Sequence, residues 1–209
     1  DEDNVEAARL YTLSAEQGMA RAQFNLAVLY EEGEGIPRDQ DTAIYWFRAA
    51  AVQGRENAVN HLLDEHIEDY LSLADDLYLG SEVKKDPDRA ISMLRYAISK
   101  DRSEALPGYL RMVLDQAENG NPTYQYVAAD IYFSGNLVKQ DLKLAQQWLI
   151  RSSDNGYMAA TSLLGYKYLN GEEVAVDYDK ALQYFEKAAE HGNALALFGL
   201  AQMYSIGLG

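Results

Sequence analysis

The chain has 209 residues, 48% of them hydrophobic and 24% charged, a composition that supports a folded core. Its 33 acidic and 18 basic residues leave a net charge of −15, a field that repels phosphate backbones and anionic lipid, so nucleic acid and membrane surfaces are not expected partners. There is no cysteine, which excludes disulfides, thiolate metal sites and cysteine nucleophiles, and no apolar run approaches the ~18 residues that would cross a bilayer.

In chain order, "DNVEAARLYTLSAEQG" at residues 3–18 predicts a helix closed by glycine. "ARAQFNLAVLYEEG" at 20–33 predicts a second, and "DTAIYWFRAAAVQG" at 41–54 a third. The phrase "YEEGEG" at 30–35 returns as "YSIGLG" at 204–209, and it exposes a period. Gly33, Gly80, Gly135, Gly171 and Gly207 anchor successive copies, and the last two intervals are both 36 residues. Six residues after each complete anchor stands an aspartate: Asp39, Asp86, Asp141, Asp177. Ten after it comes an alanine (Ala43, Ala90, Ala145, Ala181), and thirteen after it a large side chain (Trp46, Met93, Trp148, Tyr184). Twenty-one after it come Gly54, Gly156 and Gly192, with Asp101 the single departure.

Each marker has a physical task. An aspartate ahead of a helical stretch accepts hydrogen bonds from the free N–H groups of the first turn. Pro87, directly after Asp86, has no N–H to waste at a helix start. The closing glycines enter the left-handed conformation that ends a helix. The alanines let paired helices approach, and the large residue fills the space between pairs. Tyr30, Tyr132, Tyr168 and Tyr204 recur three residues before an anchor and are expected in the core. Each unit is then two antiparallel helices, neither able to hide its apolar stripe alone. The expected fold class is all-α, an α-α superhelix of stacked helix pairs.

These residues resemble Sel1-like repeats, a branch of the tetratricopeptide-like helical repeats. The resemblance is carried by the endings "AEQG", "AVQG" and "AEHG" and by the copy at 159–192, "AATSLLGYKYLNGEEVAVDYDKALQYFEKAAEHG". The expected organisation is a single array: a second helix at 1–18, a repeat at 19–54, an expanded repeat at 55–101, an irregular helical insert at 102–120, repeats at 121–156 and 157–192, and a first helix at 193–209. Both end segments read as halves of repeats, so the chain is expected to be part of a longer array with apolar stripes left at its ends. Between Gly54 and Gly80 the spacing exceeds the regular one by 11 residues, room for about three helical turns. "LPGYL" at 106–110 marks a break at Leu106–Pro107.

The search for chemistry returns no catalytic, cofactor-binding or metal-binding residues. His61 and His66 are five apart, about 140° around a continuous helix, and so not placed to share a metal. His191 sits in a helix-closing "EHG", where a cation suits the helix C-terminus. "DEDN", "LYEEGEG", "LADD" and "NGEE" lack a calcium-loop pattern and read as solvated loops. "GEG" and "GLG" lack the strand and third glycine of a dinucleotide site. There is no G-x-S-x-G and no lysine-bearing phosphate loop.

Related helical repeats bind partners on the inner wall formed by their first helices. Residues spaced i, i+3, i+7 and i+10 share that face: Arg21, Phe24, Val28 and Glu31; Thr123, Tyr126, Asp130 and Phe133; Ala159, Ser162, Tyr166 and Leu169; Leu195, Phe198, Gln202 and Ser205. Tyr126, Asp130, Tyr166 and Gln202 are the expected partner-binding residues, aromatic anchors beside polar groups able to read backbone amides. The resemblance implies a non-catalytic scaffold with protein partners. It is similar in architecture to envelope members such as the periplasmic alginate-export scaffold, and a periplasmic or cell-envelope setting is the expectation. The competing readings are a regulatory segment of a larger enzyme and a glycan or small-molecule receptor on the tyrosine-rich wall.

Overall fold

The structure, a computed structural model, describes residues 2–208. The described residues form α-helices and one short 3-10 turn, with no strand among them. The chain divides into two compact units, Asp1–Tyr109 and Leu110–Gly209.

The first unit opens with α1 (Glu2–Glu16), α2 (Ala20–Glu32) and α3 (Gln40–Val52). It continues through α4 (Glu56–Glu65), α5 (Ile67–Leu79) and α6 (Pro87–Ser99), then a 3-10 turn at Ser103–Ala105. The boundary falls within α7 (Leu106–Glu118). The second unit contains α8 (Pro122–Ser134), α9 (Leu142–Asp154), α10 (Met158–Asn170), α11 (Tyr178–Ala189) and α12 (Ala194–Ser205). The pairs α2–α3, α8–α9 and α10–α11 pack most extensively, followed equally by α1–α2 and α5–α6.

The four aspartates cap as their spacing requires. Asp39, Asp86, Asp141 and Asp177 accept hydrogen bonds from the backbone N–H groups of Thr42, Arg89, Leu144 and Lys180. Ala43, Ala90, Ala145 and Ala181 are fully buried at the helix contacts. Asp101 adopts φ +61°, the left-handed geometry that Gly54, Gly156 and Gly192 adopt at the same position. The expanded segment is an extra helix rather than a longer one. α4 ends at Glu65, His66 takes φ −137° and ψ 58°, and α5 restarts at Ile67. No break falls at Leu106–Pro107: Leu106 is helical, φ −61° and ψ −46°, and Pro107 is the second residue of α7, where its missing N–H costs no helical hydrogen bond. Of the recurrent tyrosines, Tyr168 stacks on Tyr184 at 5.7 Å, and Tyr30 packs against the buried cluster of Ala15, Ala22 and Leu26. Tyr204 departs from the expectation: it is 58% exposed, because no helix among the described residues follows α12 to cover it.

A buried polar clamp, invisible in the period, joins successive helix pairs. Gln125 donates through Nε2 to the carbonyl of Ala117 at 3.0 Å and accepts from Asn155 Nδ2 at 2.9 Å. Gln23 repeats this geometry with the Ala15 carbonyl at 3.2 Å and Gln53 at 2.7 Å. In the next copy Thr161 hydrogen-bonds Ser153 at 2.9 Å. The buried Gln23, Gln125 and Thr161 are thereby satisfied where one repeat ends and the next begins, while Gln53 and Asn155 reach in from the exposed surface.

Candidate partner-binding site

Three helices of the second unit carry the expected binding residues: Tyr126 and Asp130 on α8, Tyr166 on α10 and Gln202 on α12. Tyr166 and Gln202 meet. The Tyr166 hydroxyl lies 3.2 Å from the carbonyl of Leu195 and 3.4 Å from Gln202 Oε1, and its ring stands edge-on to Phe185 with centroids 4.8 Å apart. Phe185 is fully buried, so it fixes the ring while the hydroxyl end stays in contact with solvent. Burial raises the Tyr166 hydroxyl above its ordinary pKa, which keeps it a hydrogen-bond donor across the physiological range.

Tyr166 and Gln202 line an open groove of about 420 Å³ with Leu169, Tyr178, Ser205 and Ile206. Tyr178 and Ile206 are 45% and 66% exposed, so the groove offers apolar contact beside the polar side chains of Tyr166, Asn170, Gln202 and Ser205. Tyr126 and Asp130 are not in its wall. Tyr126 is half-buried against Tyr157, ring centroids 5.2 Å apart, while Asp130 is exposed one helical turn further on. The Tyr126 hydroxyl is raised by burial first, then by the negative charge of Asp130 and the neighbouring Tyr157. The four residues therefore form a joined pair and two separate positions rather than one pocket.

Elsewhere on the same row, Ser162 is buried and donates to the carbonyl of Ala159. Phe198, by contrast, is 60% exposed on α12. Phe133 packs under Lys167, whose ammonium lies 4.0 Å from the ring centre and which is ion-paired with Glu173. In the first unit a second groove of about 360 Å³ is lined by Tyr45, Arg48, Val52 and Glu82 among others, with Arg48 held by Asp76 at 2.5 Å.

The histidines depart from the sequence reading. His61 and His66 do not sit on one continuous helix, because the chain breaks at His66. Their rings lie 5.6 Å apart. Glu31 of α2 lies between them, Oε2 at 3.0 Å from His61 Nε2 and Oε1 at 3.1 Å from His66 Nε2. Burial raises the Glu31 carboxyl, but the hydrogen bonds from His66, His61 and Gln40 and the charge of His61 together outweigh it and hold the group below the usual range. The premise that five residues of separation keeps these side chains apart is thus corrected by the helix break. Sequence reading had already put Glu31 on the inner row, but nothing in the spacing linked it to residues 30 and 35 positions later. No helix among the described residues is long and apolar enough to cross a membrane.

Comparison with known proteins places this architecture. The Sel1 repeat profile matches residues 1–19, 20–54, 70–101, 122–157, 159–193 and 194–209, most of the chain. An uncharacterised protein of Neisseria meningitidis serogroup B is 28% identical over 187 residues, covering 90% of this chain and 32% of its own length. The chitin synthase regulator of Saccharomyces cerevisiae is 25% identical over 218 residues, covering 91% of this chain and 30% of its own. This chain therefore spans about a third of the length of the curated relatives it matches. Among solved structures, a Sel1 repeat protein from Oxalobacter formigenes is 29% identical, with 99% of this chain and 72% of that one aligned at a TM-score of 0.42.

Proposed function

We propose, because this chain belongs to the Sel1 repeat family, that it is a non-catalytic protein–protein interaction scaffold and that a partner docks on the first-helix face of its second unit. Proteins built from Sel1 repeats are in general interaction scaffolds. The observation that carries the reading is the groove at Tyr166 and Gln202, where a fixed aromatic ring, a phenolic hydroxyl and a side-chain amide stand beside exposed apolar surface. That combination suits an extended or helical peptide: the ring and Ile206 take an apolar side chain, and the hydroxyl and amide pair with its backbone. Asp130 extends the face with a negative charge, which favours a partner carrying a basic residue. A periplasmic or cell-envelope setting, in an assembly such as an exopolysaccharide-secretion complex, completes the proposal, and subcellular fractionation tests that part directly.

The docking face is tested with photoreactive side chains placed at 130, at 202 and, as a control, at the exposed Lys143 on α9. Cross-links to one common protein from 130 and 202 and none from 143 support the reading. The same protein should be lost on Tyr166→Phe combined with Gln202→Ala, which removes the polar groups and keeps the ring on Phe185. Cross-linking from 143 alone would move the site to the second helices and sink the proposal. The yeast relative is named a chitin synthase regulator, which favours, as a second reading, a segment that regulates an enzyme. A captured partner with catalytic activity altered by this chain would distinguish it from a passive scaffold.

A further inference from the structure

The cluster of Glu31, His61 and His66 lies in the first unit, apart from the partner face. Its members come from three places in the chain: near the end of α2, the middle of α4 and the break before α5. One ligand atom from each lies within 4.8 Å of the others. We propose that Glu31, His61 and His66 bind a divalent transition metal of the zinc class, with Gln40 as a fourth donor.

The spacing fits. Zinc holds nitrogen and oxygen ligands at ~2.0–2.2 Å in a tetrahedron, which sets its ligand atoms roughly 3.3–3.5 Å apart. The carboxylate-to-imidazole separations of 3.0 and 3.1 Å are close to that, so small side-chain rotations admit an ion. The donor set, two imidazoles and one carboxylate, is the mixture that selects zinc, cobalt or nickel over calcium or magnesium.

Hydrogen-bond bookkeeping turns an oxygen of Gln40 toward the cluster. His66 Nε2 lies 3.1 Å from Glu31 Oε1 and 3.2 Å from Gln40 Nε2. If Nε2 carries the proton, it serves the carboxylate but faces an amide nitrogen that only donates. If it does not, it accepts from Gln40 but turns its lone pair on a carboxylate. Neither tautomer satisfies both contacts while the amide nitrogen faces the ring; with the amide turned over, Gln40 Oε1 and the Glu31 carboxylate both face His66 Nε2 as acceptors. That arrangement suits an ion: both imidazoles present lone pairs to it, the carboxylate offsets one of its two charges, and Gln40 offers Oε1.

The surroundings suit a site loaded from solution. The side chains of Glu31, His61 and His66 are 21%, 24% and 16% exposed, open enough for a hydrated ion to enter. Behind them the fully buried Phe47 lies 4.2 Å from the His61 ring and 6.5 Å from the His66 ring, giving the site an apolar wall. Since the ligands join α2, α4 and the α4–α5 break, metal would tie the expanded segment to the regular repeat before it.

The test uses the untagged chain, stripped with a chelator and titrated with Zn²⁺ by calorimetry and with Co²⁺ by visible absorption. The expected result is one ion per chain, ligand-field bands of a low-symmetry nitrogen–oxygen site, and a thermal midpoint that rises with zinc. Glu31→Gln and His66→Asn should each weaken zinc binding at least ~30-fold, while His191→Asn leaves it unchanged. A variant-free readout guards against misfolding. The chain has three histidines, and zinc should shift the imidazole NMR signals of His61 and His66 but not His191. Absence of saturable binding, retention of affinity in both Glu31→Gln and His66→Asn, or a shift confined to His191 each overturns the proposal and leaves the cluster an ordinary ion-pair network.

Discussion

Replacing Gly165 by alanine tests the packing that supports the partner face. Gly165 on α10 and Gly199 on α12 both press against the ring of Phe185, which is fully buried between their helices. A Cβ at Gly165 would stand 2.6 Å from two ring carbons and 3.0 Å from a third; one at Gly199 would stand 2.6 Å from two and 2.9 Å from a third. Carbon atoms rest at about 3.5–4.0 Å, so the overlap approaches 1 Å. The ring cannot swing freely aside, because Tyr166 occupies another side of it. Overpacking of this kind costs about 1–3 kcal/mol, whereas alanine in a helix interior regains about 1 kcal/mol over glycine. With three ring carbons overlapped the cost lies at the upper end of that range, so the expected net loss for Gly165→Ala is about 2 kcal/mol, a fall of ~4–8 °C in Tm for a chain of this size. Denaturant unfolding in a Trp46→Phe background isolates Trp148, the remaining tryptophan, as a reporter of the second unit. Phe185→Leu should then rescue Gly165→Ala in part, giving a coupling of at least ~1 kcal/mol where independent sites add within about 0.5. A Gly165→Ala chain as stable as the parent, or additivity with Phe185→Leu, would refute the claim that the glycines exist to admit the ring.

Gln125→Leu should destabilise by about 1–2 kcal/mol, since it removes both side-chain hydrogen bonds of a buried residue, while the exposed Asn155 amide turns to water; urea titration measures it, and a neutral result would mean the clamp is incidental. Asp101→Gly should stabilise by up to about 1 kcal/mol, because Asp101 holds φ +61° where sister repeats use glycine; unchanged stability would show the aspartate is at ease there. Acid sensitivity follows from the caps: hydrogen bonds from Lys180 to Asp177, and from Thr42 to Asp39, hold both carboxyls below the ordinary 3.8. Their folded values lie under the unfolded ones, so the stabilisation is complete above the ordinary value and is lost as pH falls through the lowered one. Asp39→Asn with Asp177→Asn keeps a capping oxygen but removes the titration, and thermal melts between neutral and strongly acid pH should show a shallower acid limb in the double variant.

What was legible in the chain was the set of positions where one residue does one local job. An aspartate six residues past a glycine caps a helix whatever lies around it, and all four such residues do so. The alanine and closing-glycine positions are equally local, and even the exception at Asp101 keeps the backbone conformation of its glycine counterparts. The binding row was legible as a helical face but not as a site. Periodicity says that Asp130, Tyr166 and Gln202 occupy equivalent places and that Tyr126 shares their face, yet only the tertiary packing decides that Tyr166 and Gln202 meet and that Tyr126 packs against Tyr157.

The histidines show why the rest was hidden. An angle of about 140° between positions i and i+5 holds only while the helix continues, and nothing in "LLDEHIEDY" signals a stop: there is no glycine or proline in it. The break at His66 is imposed by packing, since Leu62 and Leu63 of α4 and Tyr70 and Leu73 of α5 are all buried. One straight helix through residues 56–79 would run about 36 Å, far past the 13-residue helices α3 and α6 at about 20 Å, so half of its apolar stripe would have nothing to pack against. Breaking it lets each half bury its own stripe, and the same break swings His66 back toward His61 and Glu31. The irregular spacing and the candidate metal site thus have one cause. Their fates can be separated by experiment: Glu31→Gln, which leaves every buried apolar residue in place, should abolish tight zinc binding while α4 and α5 keep their helical amide protection in hydrogen exchange. If protection across residues 56–79 collapses in that variant, the ion-pair cluster rather than the apolar packing holds the break, and the order of cause argued here is reversed.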